Sequence, residues 1–277
     1  MADGVTEPAC PPMSTIAPNQ PRIVSRAEWL KARLELLARE KELTRSRDRL
    51  NTARRELPMV RIDQPYRFDS PEGTRTLPQL FAGRHQLIVF HFMWRWEKGE
   101  PLDEPCRGCA SWVDELARGH FNTLRARNTS LVLVSRAPLA KILPFKRRMG
   151  WTVPWYSSFG SSFNFDFNVS FDAAVAPMSY NYRGPEEHAR AGTGYYLQGG
   201  QPFDLSGLSC FLRQGDEVFH TYSTYARGGE GTGGSYYLLD LTALGRQEDW
   251  EEPKGRTIGM GLPPRPDLNP FPDEYAG

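Results

Sequence analysis

The sequence predicts an α/β fold built on one central mixed sheet flanked by helices, and three observations carry that prediction. Two short runs, His85 to Met93 and Leu131-Val132-Leu133-Val134-Ser135, have the unbroken apolar character of strands buried on both faces. A helical pattern follows each of them, and this β-α-β-α alternation implies a parallel pair with a right-handed crossover. Farther on, Leu208 to Arg213 and Glu217 to Thr224 flank the turn Gln214-Gly215-Asp216 and read as an antiparallel hairpin on the same sheet.

Taken in order, residues 1 to 21 carry Pro8, Pro11, Pro12 and Pro18 without periodicity and read as a disordered leader that includes Cys10. This stretch has neither the basic start nor the apolar core of a secretory signal, so a cytoplasmic location is expected. Residues 22 to 57 form a long N-terminal helix. Ser25 is its N-cap, Glu28 completes a capping box, and Pro58 ends it. Trp29, Leu30, Leu34, Leu37, Leu43 and Leu50 make a narrow apolar stripe among charges such as Arg33, Glu40 and Arg47. That stripe suits a solvated helix with a docking edge, a helix on the core, or a homodimer through the N-terminal helix.

A single domain is expected over residues 58 to 244. Tyr66-Arg67-Phe68 alternates, Ser70 to Gly73 is a turn, and Thr76 to Phe81 is a short turn or helix. After the first buried strand, Trp94 to Pro105 reads as a loop rich in tryptophan and charge. It leads into Cys106-Arg107-Gly108-Cys109 and a helix marked by Trp112, Val113, Leu116 and Phe121. Leu139 to Met149 is a short basic helix stopped by Gly150. Aromatics crowd Trp151 to Tyr182, where the alternation from Phe163 to Phe171 fits strand and loop equally. Such a cluster packs a core more often than it cradles a ligand. Tyr236 to Leu241 is a helix or strand, and residues 245 to 277 form an extended tail.

The 277 residues carry a net charge of +1, so no overall field draws in nucleic acid or an anionic membrane. The longest apolar runs, such as Leu87-Ile88-Val89-Phe90, fall far short of the roughly 20 residues a membrane span needs. Four cysteines in a reducing compartment are not a disulfide framework, and a close pair there points to redox chemistry or metal binding.

Thiol chemistry needs a thiolate, which a helix N-terminus favours through its unpaired N–H groups and its dipole. Cys106 follows Pro105 and stands at that place, with Arg107 adding positive charge. Cys109, one turn later, is more shielded and suited to resolve a mixed disulfide formed on Cys106. The predicted catalytic pair is therefore attacking Cys106 and resolving Cys109, and the expected partner is a disulfide-containing or oxidised-thiol substrate. A zinc site would need a second ligand pair, and Cys10, Cys210, His91 and His220 are isolated, so no metal is expected. No cofactor is expected either. Gly228 to Gly234 lacks the Lys-Ser/Thr of a phosphate loop, and Gly207-Leu208-Ser209-Cys210-Phe211 lacks the second glycine of a nucleophile elbow. Cys210 reads as a buried strand cysteine. His220, Tyr222, Tyr225 and Arg227 either satisfy one another at a sheet end or face the cysteine pair.

Several long segments resemble one family in order. They are Val24 to Leu30, Leu87 to Met93, Cys106 to Cys109, Val134 to Pro138, Arg147 to Trp151, Ser157 to Gly160 and Val218 to Gly228. Together, over residues 22 to 250, they are similar to a bacterial family of thioredoxin-like proteins known as domain of unknown function 899 (DUF899). The resemblance implies a thioredoxin-like fold and a thiol-disulfide role. A non-catalytic binding protein on the same scaffold is the competing class. Two departures from the general thioredoxin pattern stand out. Trp94 to Pro105 separates the strand from the CxxC, and Gly207-Leu208-Ser209 stands where a cis-proline is expected. A peroxidatic site ranks lower, because the Pro and Thr or Ser it needs before the cysteine do not line up.

Overall fold

Ser25 opens the first helix by a reciprocal cap. Its Oγ accepts from the Glu28 N–H at 3.3 Å, and Glu28 Oε2 accepts from the Ser25 N–H at 3.0 Å. The computed structural model describes residues 21–232 and 271–274. Helix α1, Arg26–Glu56, runs for 31 residues without burying one of them. Arg33–Glu40 and Arg49–Glu42 ion pairs, both at 2.8 Å, line its length. The chain divides into two compact units, Met1–Lys41 with Leu238–Asp267 and Glu42–Tyr237 with Leu268–Gly277. Of the first, only residues 21–41 are described. The expectations for residues 1–20, Tyr236 to Leu241 and most of the tail fall outside the described residues.

The second unit begins with β1 (Val60–Arg61), β2 (Arg67–Ser70), β3 (Gly73–Thr76) and the one-turn helix α2 (Leu77–Leu80). The apolar run forms β4 (Gln86–His91), and the tryptophan-rich stretch after it forms β5 (Trp94–Glu97) and β6 (Glu100–Pro105). Then come α3 (Arg107–Asp114), α4 (Arg118–Ala126), β7 (Thr129–Ser135), α5 (Leu139–Met149) and β8 (Trp155–Ser157). Short pieces follow: α6 (Phe163–Asp166), β9 (Ser170–Phe171), α7 (Pro185–Arg190) and β10 (Phe203–Asp204). The hairpin β11 (Gly207–Gln214) and β12 (Glu217–Tyr225) completes the series.

Eight strands share one sheet in the order β1-β12-β11-β4-β7-β8-β2-β3. β4 lies parallel to β7, with Ile88 opposite Leu131, and antiparallel to β11, with Phe90 opposite Leu208. β12 closes antiparallel on β11. A parallel β4–β7 pair with helices between its strands, extended by the β11–β12 hairpin on the β4 side, is the thioredoxin-like arrangement. Alternation along β4 sends Leu87 and Val89 to one face and Phe90 to the other. The first face packs against Phe68, Leu80, Phe81, Phe163 and Phe167. The second packs against Cys109, Ala110, Val113, Ile142, Phe145 and Trp155, so the cysteine helix sits on that side.

Three sequence expectations are corrected. Trp94 to Pro105 is a β-hairpin rather than a loop, closed at Lys98-Gly99, whose φ angles of 49° and 88° match the mirror-image turn that suits twisted strands. The helix after the cysteines is two helices. Ala117 is extended, and its N–H donates to His120 Nδ1 at 3.1 Å to cap the second. Phe163 to Phe171 is neither strand nor loop throughout but a helical turn, a left-handed Asn168 at φ 53°, and a two-residue strand. Phe163, Phe167, Phe171 and Tyr180 are all buried there, as core packing requires. Inside the expected tail, Pro272–Glu274 form a 3-10 turn, and Phe271 just before it is fully buried against Phe145.

Candidate functional site

The tryptophan hairpin leaves the sheet and returns to the point of departure. Trp94 pairs with Pro105, and the Cys106 N–H donates to the Met93 carbonyl at 3.2 Å. The insertion therefore does not carry the cysteines away; they stand at the end of β4 as they would without it. Cys106 is the N-cap of α3, with φ −70° and ψ 125°, and its carbonyl accepts the first helical bond from Ala110 at 3.1 Å. Its side chain is partly exposed, whereas Cys109 is buried, and both are free thiols.

The two sulfurs titrate in opposite directions. A hydrogen bond from the Cys109 thiol brings the Cys106 thiol down to about 7, against the opposing effect of burial. The N–H groups of Cys109 and Gly108 and the charge of Arg95 add to the lowering. Burial pushes Cys109 up, and its bond to Cys106 and the Cys106 charge push the same way. Arg107, which the sequence suggests as the activating cation, is held by Glu104 at 3.6 Å and Glu274 at 2.6 Å and stacks on Phe271. Arg95 on β5 has that role instead. Nothing in the local sequence marks it, because only the hairpin pairing brings it back to Cys106.

A second residue the sequence does not mark is Asp204 on β10. Its carboxylate accepts from Arg136 Nε at 2.9 Å, Ser170 Oγ at 2.7 Å, Trp96 Nε1 at 2.8 Å and the Trp94 N–H at 3.3 Å. The Arg136 guanidinium lies 3.7 Å from the Trp96 ring centroid. These bonds fasten the hairpin that frames the cysteines, and the Asp204 charge contributes to the raised Cys109 thiol.

A cleft of about 250 Å³ opens beside Cys109, lined by Phe90, Trp112, Leu208, Tyr225 and Glu230 among others. Cys106 is not among its lining residues. Gly207 makes room for the Tyr225 ring, since a Cβ there would stand 2.7 Å from it. Tyr225 borders the cleft, but its hydroxyl donates to the Phe167 carbonyl at 3.0 Å and its ring packs on Tyr180 and Tyr182, so it does not face the cysteine helix. Nor does His220: it packs on Phe167 and Phe211, against the other face of the sheet. There His91, Ser209, Ser223 and His220 form a hydrogen-bonded chain of 2.8, 2.8 and 2.7 Å links. Cys210 is partly buried, and burial raises its thiol to about 11. The one cis peptide among the described residues is Gln201–Pro202, upstream of β10, and Ser206-Gly207 leads into β11. Among the described residues no group of three or more His, Cys, Asp or Glu is placed to hold a metal ion. No helix among them is long and apolar enough to cross a membrane.

Sheet order and the placement of a cysteine at the N-terminus of its first crossover helix define a thioredoxin-like α/β protein. Within that class, the chain belongs to the family described as bacterial protein of unknown function (DUF899), whose model matches residues 18–260. No curated protein matches it. Among solved structures, a cysteine-to-serine mutant of PrxQ from Xylella fastidiosa is similar at 11% identity and a TM-score of 0.37, covering 64% of this chain and 91% of that one. The bacterioferritin comigratory protein of Xanthomonas campestris, described for alkyl peroxide reduction, gives 11% and 0.36 over 64% and 91%. A peroxiredoxin Q mutant from the same organism gives 14% and 0.36 over 64% and 90%.

Proposed function

We propose that the protein is a cytoplasmic thiol-disulfide oxidoreductase working through Cys106 and Cys109. The observation that carries this reading is the asymmetry of the pair: a partly exposed N-cap thiol lowered to about 7 beside a buried thiol that is raised. In the first step the Cys106 thiolate attacks one sulfur of a substrate disulfide, forming a mixed disulfide and releasing the other sulfur as a thiolate, which takes up a proton. In the second, Cys109 loses its proton and attacks Cys106 Sγ, forming the Cys106–Cys109 disulfide and releasing the second substrate thiol. Two electrons pass from the dithiol to the substrate. Once Cys106 is tied up in the mixed disulfide, its negative charge is gone and one cause of the raised Cys109 thiol goes with it.

The test is the reduction potential of the pair, by equilibration with glutathione buffers and thiol trapping, with Cys106→Ser and Cys109→Ser as controls. A reversible two-electron couple between about −120 and −270 mV is the expected result. Thiols that never pair, or pair only on unfolding, would reject the oxidoreductase reading in favour of a binding protein on the same scaffold.

A further inference from the structure

On the sheet face turned away from the cysteine helix, polar side chains form a row across three strands: His91 on β4, Ser209 on β11, and Ser223 and His220 on β12. Alternation along a regular strand would put His220 and Ser223 on opposite faces. The β11–β12 register slips by one residue between Cys210 and Phe211, so Cys210 stands opposite Tyr222, Phe211 stands opposite His220, and Thr221 is the extra residue. That bulge turns His220 to the side of Ser223. His91, Ser209 and Ser223 are buried, and His220 is partly buried.

The row dictates where its hydrogens lie. His91 Nε2 to Ser209 Oγ at 2.8 Å, Ser209 Oγ to Ser223 Oγ at 2.8 Å and Ser223 Oγ to His220 Nε2 at 2.7 Å are each short enough to need a hydrogen. The two hydroxyls supply two of them, and one imidazole supplies the third. Only one imidazole does so, because hydrogens on both Nε2 atoms would crowd four into three links. Were His220 the donor, His91 would carry its hydrogen on Nδ1, which is buried and has no partner among the described residues. Proteins leave a buried N–H without an acceptor more rarely than an acceptor without a donor. His91 therefore donates to Ser209, Ser209 to Ser223, and Ser223 to His220. His220 is only partly buried and the Tyr222 backbone helps to hold a proton on its ring, so its own hydrogen is tolerated on Nδ1.

We propose that this row is a one-way hydrogen-bond relay with His220 as its acid sensor: a second proton on His220 reverses both hydroxyls and parts the row at His91. Protonated Nε2 of His220 donates to Ser223, Ser223 turns its hydrogen to Ser209, and the Ser209 hydrogen meets the Nε2–H of His91. Two donors then face each other, and that link opens. The one proton added comes from solvent.

The charges around His220 are engaged elsewhere. Arg61 on β1 is held by Asp63 and Glu217, Arg54 on α1 lies over the Tyr222 ring, and Asp166 on α6 accepts from Tyr66 and Ser162. Arg227 pairs with Glu230, the Tyr225 hydroxyl donates to Phe167, burial keeps the Cys210 thiol protonated, and α2 carries no titratable side chain. His91 stays neutral above about 3. The signal that reaches it is hydroxyl orientation, not repulsion between two charges.

The test is histidine-selective nitrogen-15 NMR on the full chain, with His91→Gln and His220→Gln spectra assigning the two rings. At about pH 8, His91 should carry its hydrogen on Nε2 and His220 on Nδ1. As pH falls toward about 5, His220 should titrate below its ordinary 6.5, and the resonance of neutral His91 should shift with the same midpoint. Ser209→Ala cuts the row without touching His220; there the His220 midpoint should rise toward 6.5 and the His91 shift should vanish. A hydrogen on Nδ1 of His91 would overturn the order, a readout that needs the wild type alone. A His91 resonance that stays put while His220 titrates, or a His220 midpoint unmoved by Ser209→Ala, would overturn the coupling.

Discussion

Arg136 and Asp204 meet at 2.9 Å with side chains only 10% and 1% exposed, and neither charge is left in water. The pair ties the connection after β7 to β10, and through Trp96 it also holds the inserted hairpin. Removing one partner of a buried pair strands the other, at a cost of about 3–5 kcal/mol. Asp204→Asn should lower the urea midpoint accordingly and shift tryptophan emission as the Trp96 bond weakens. An unchanged midpoint would mean that the pair is not part of what holds the hairpin.

Cys106 should be half ionised near pH 7, so its alkylation rate by iodoacetamide should rise through a midpoint there. Its thiol lies below the ordinary value of 9.0 in the folded chain. The stability this contributes is therefore present at high pH and lost as pH falls through about 7. Because the Cys109 thiol bond is the largest cause, Cys109→Ala should move the midpoint up more than Cys109→Ser, which keeps a donor. Arg95→Gln should also raise it, by less than Cys109→Ala does, because its charge is the smallest of the causes. Equal midpoints in all four proteins would show that neither neighbour sets the Cys106 thiol.

A methyl group on Gly207 would press on the Tyr225 ring at 2.7 and 2.9 Å. Gly207→Ala should therefore cost about 1–3 kcal/mol in thermal unfolding. Gly119 on α4 has nothing within 4 Å of the added carbon, and Gly119→Ala should stabilise by about 0.5–1 kcal/mol. Similar effects from both would contradict the packing described at β11.

His91 is fully buried, and its imidazole is lowered to about 3, first by burial and then by His220. The unfolded chain binds a proton there near 6.5 and the folded chain does not. Stability should then fall as pH drops from about 6.5 toward 3, by up to about 1.4 kcal/mol per pH unit. Urea titrations across that range should show the slope in the wild type and a smaller one in His91→Gln.

Much of this was legible in the sequence because single residues decide it. Ser25 with Glu28, Pro58 and Gly150 fix the ends of α1 and α5, and unbroken apolar runs identify β4, β7 and their burial on both faces. The hairpin at Trp94 to Pro105 was not legible. Lys98-Gly99 is a weaker turn signal than Asn-Gly, and the strands alternate tryptophan with charge as an exposed loop also can. The cysteine pair is a local pattern and stands out by itself. Arg95, Asp204 and Tyr225 reach its surroundings only through the pairing of distant strands, and one-dimensional spacing carries no trace of that.

Phe271 is buried, and its neighbours Asp273 and Glu274 clasp Arg148 and Arg107, the first residue of the cysteine helix. A short segment far downstream in the chain is thus a fastener for one synthesised long before it. During synthesis the thiol helix lacks this anchor until residues 271–274 have been made. A nonsense mutation or protease cut shortly before Phe271 would spare every strand of the sheet yet free Arg107 from Glu274, and damage of that kind would register first as altered thiol reactivity rather than as loss of secondary structure.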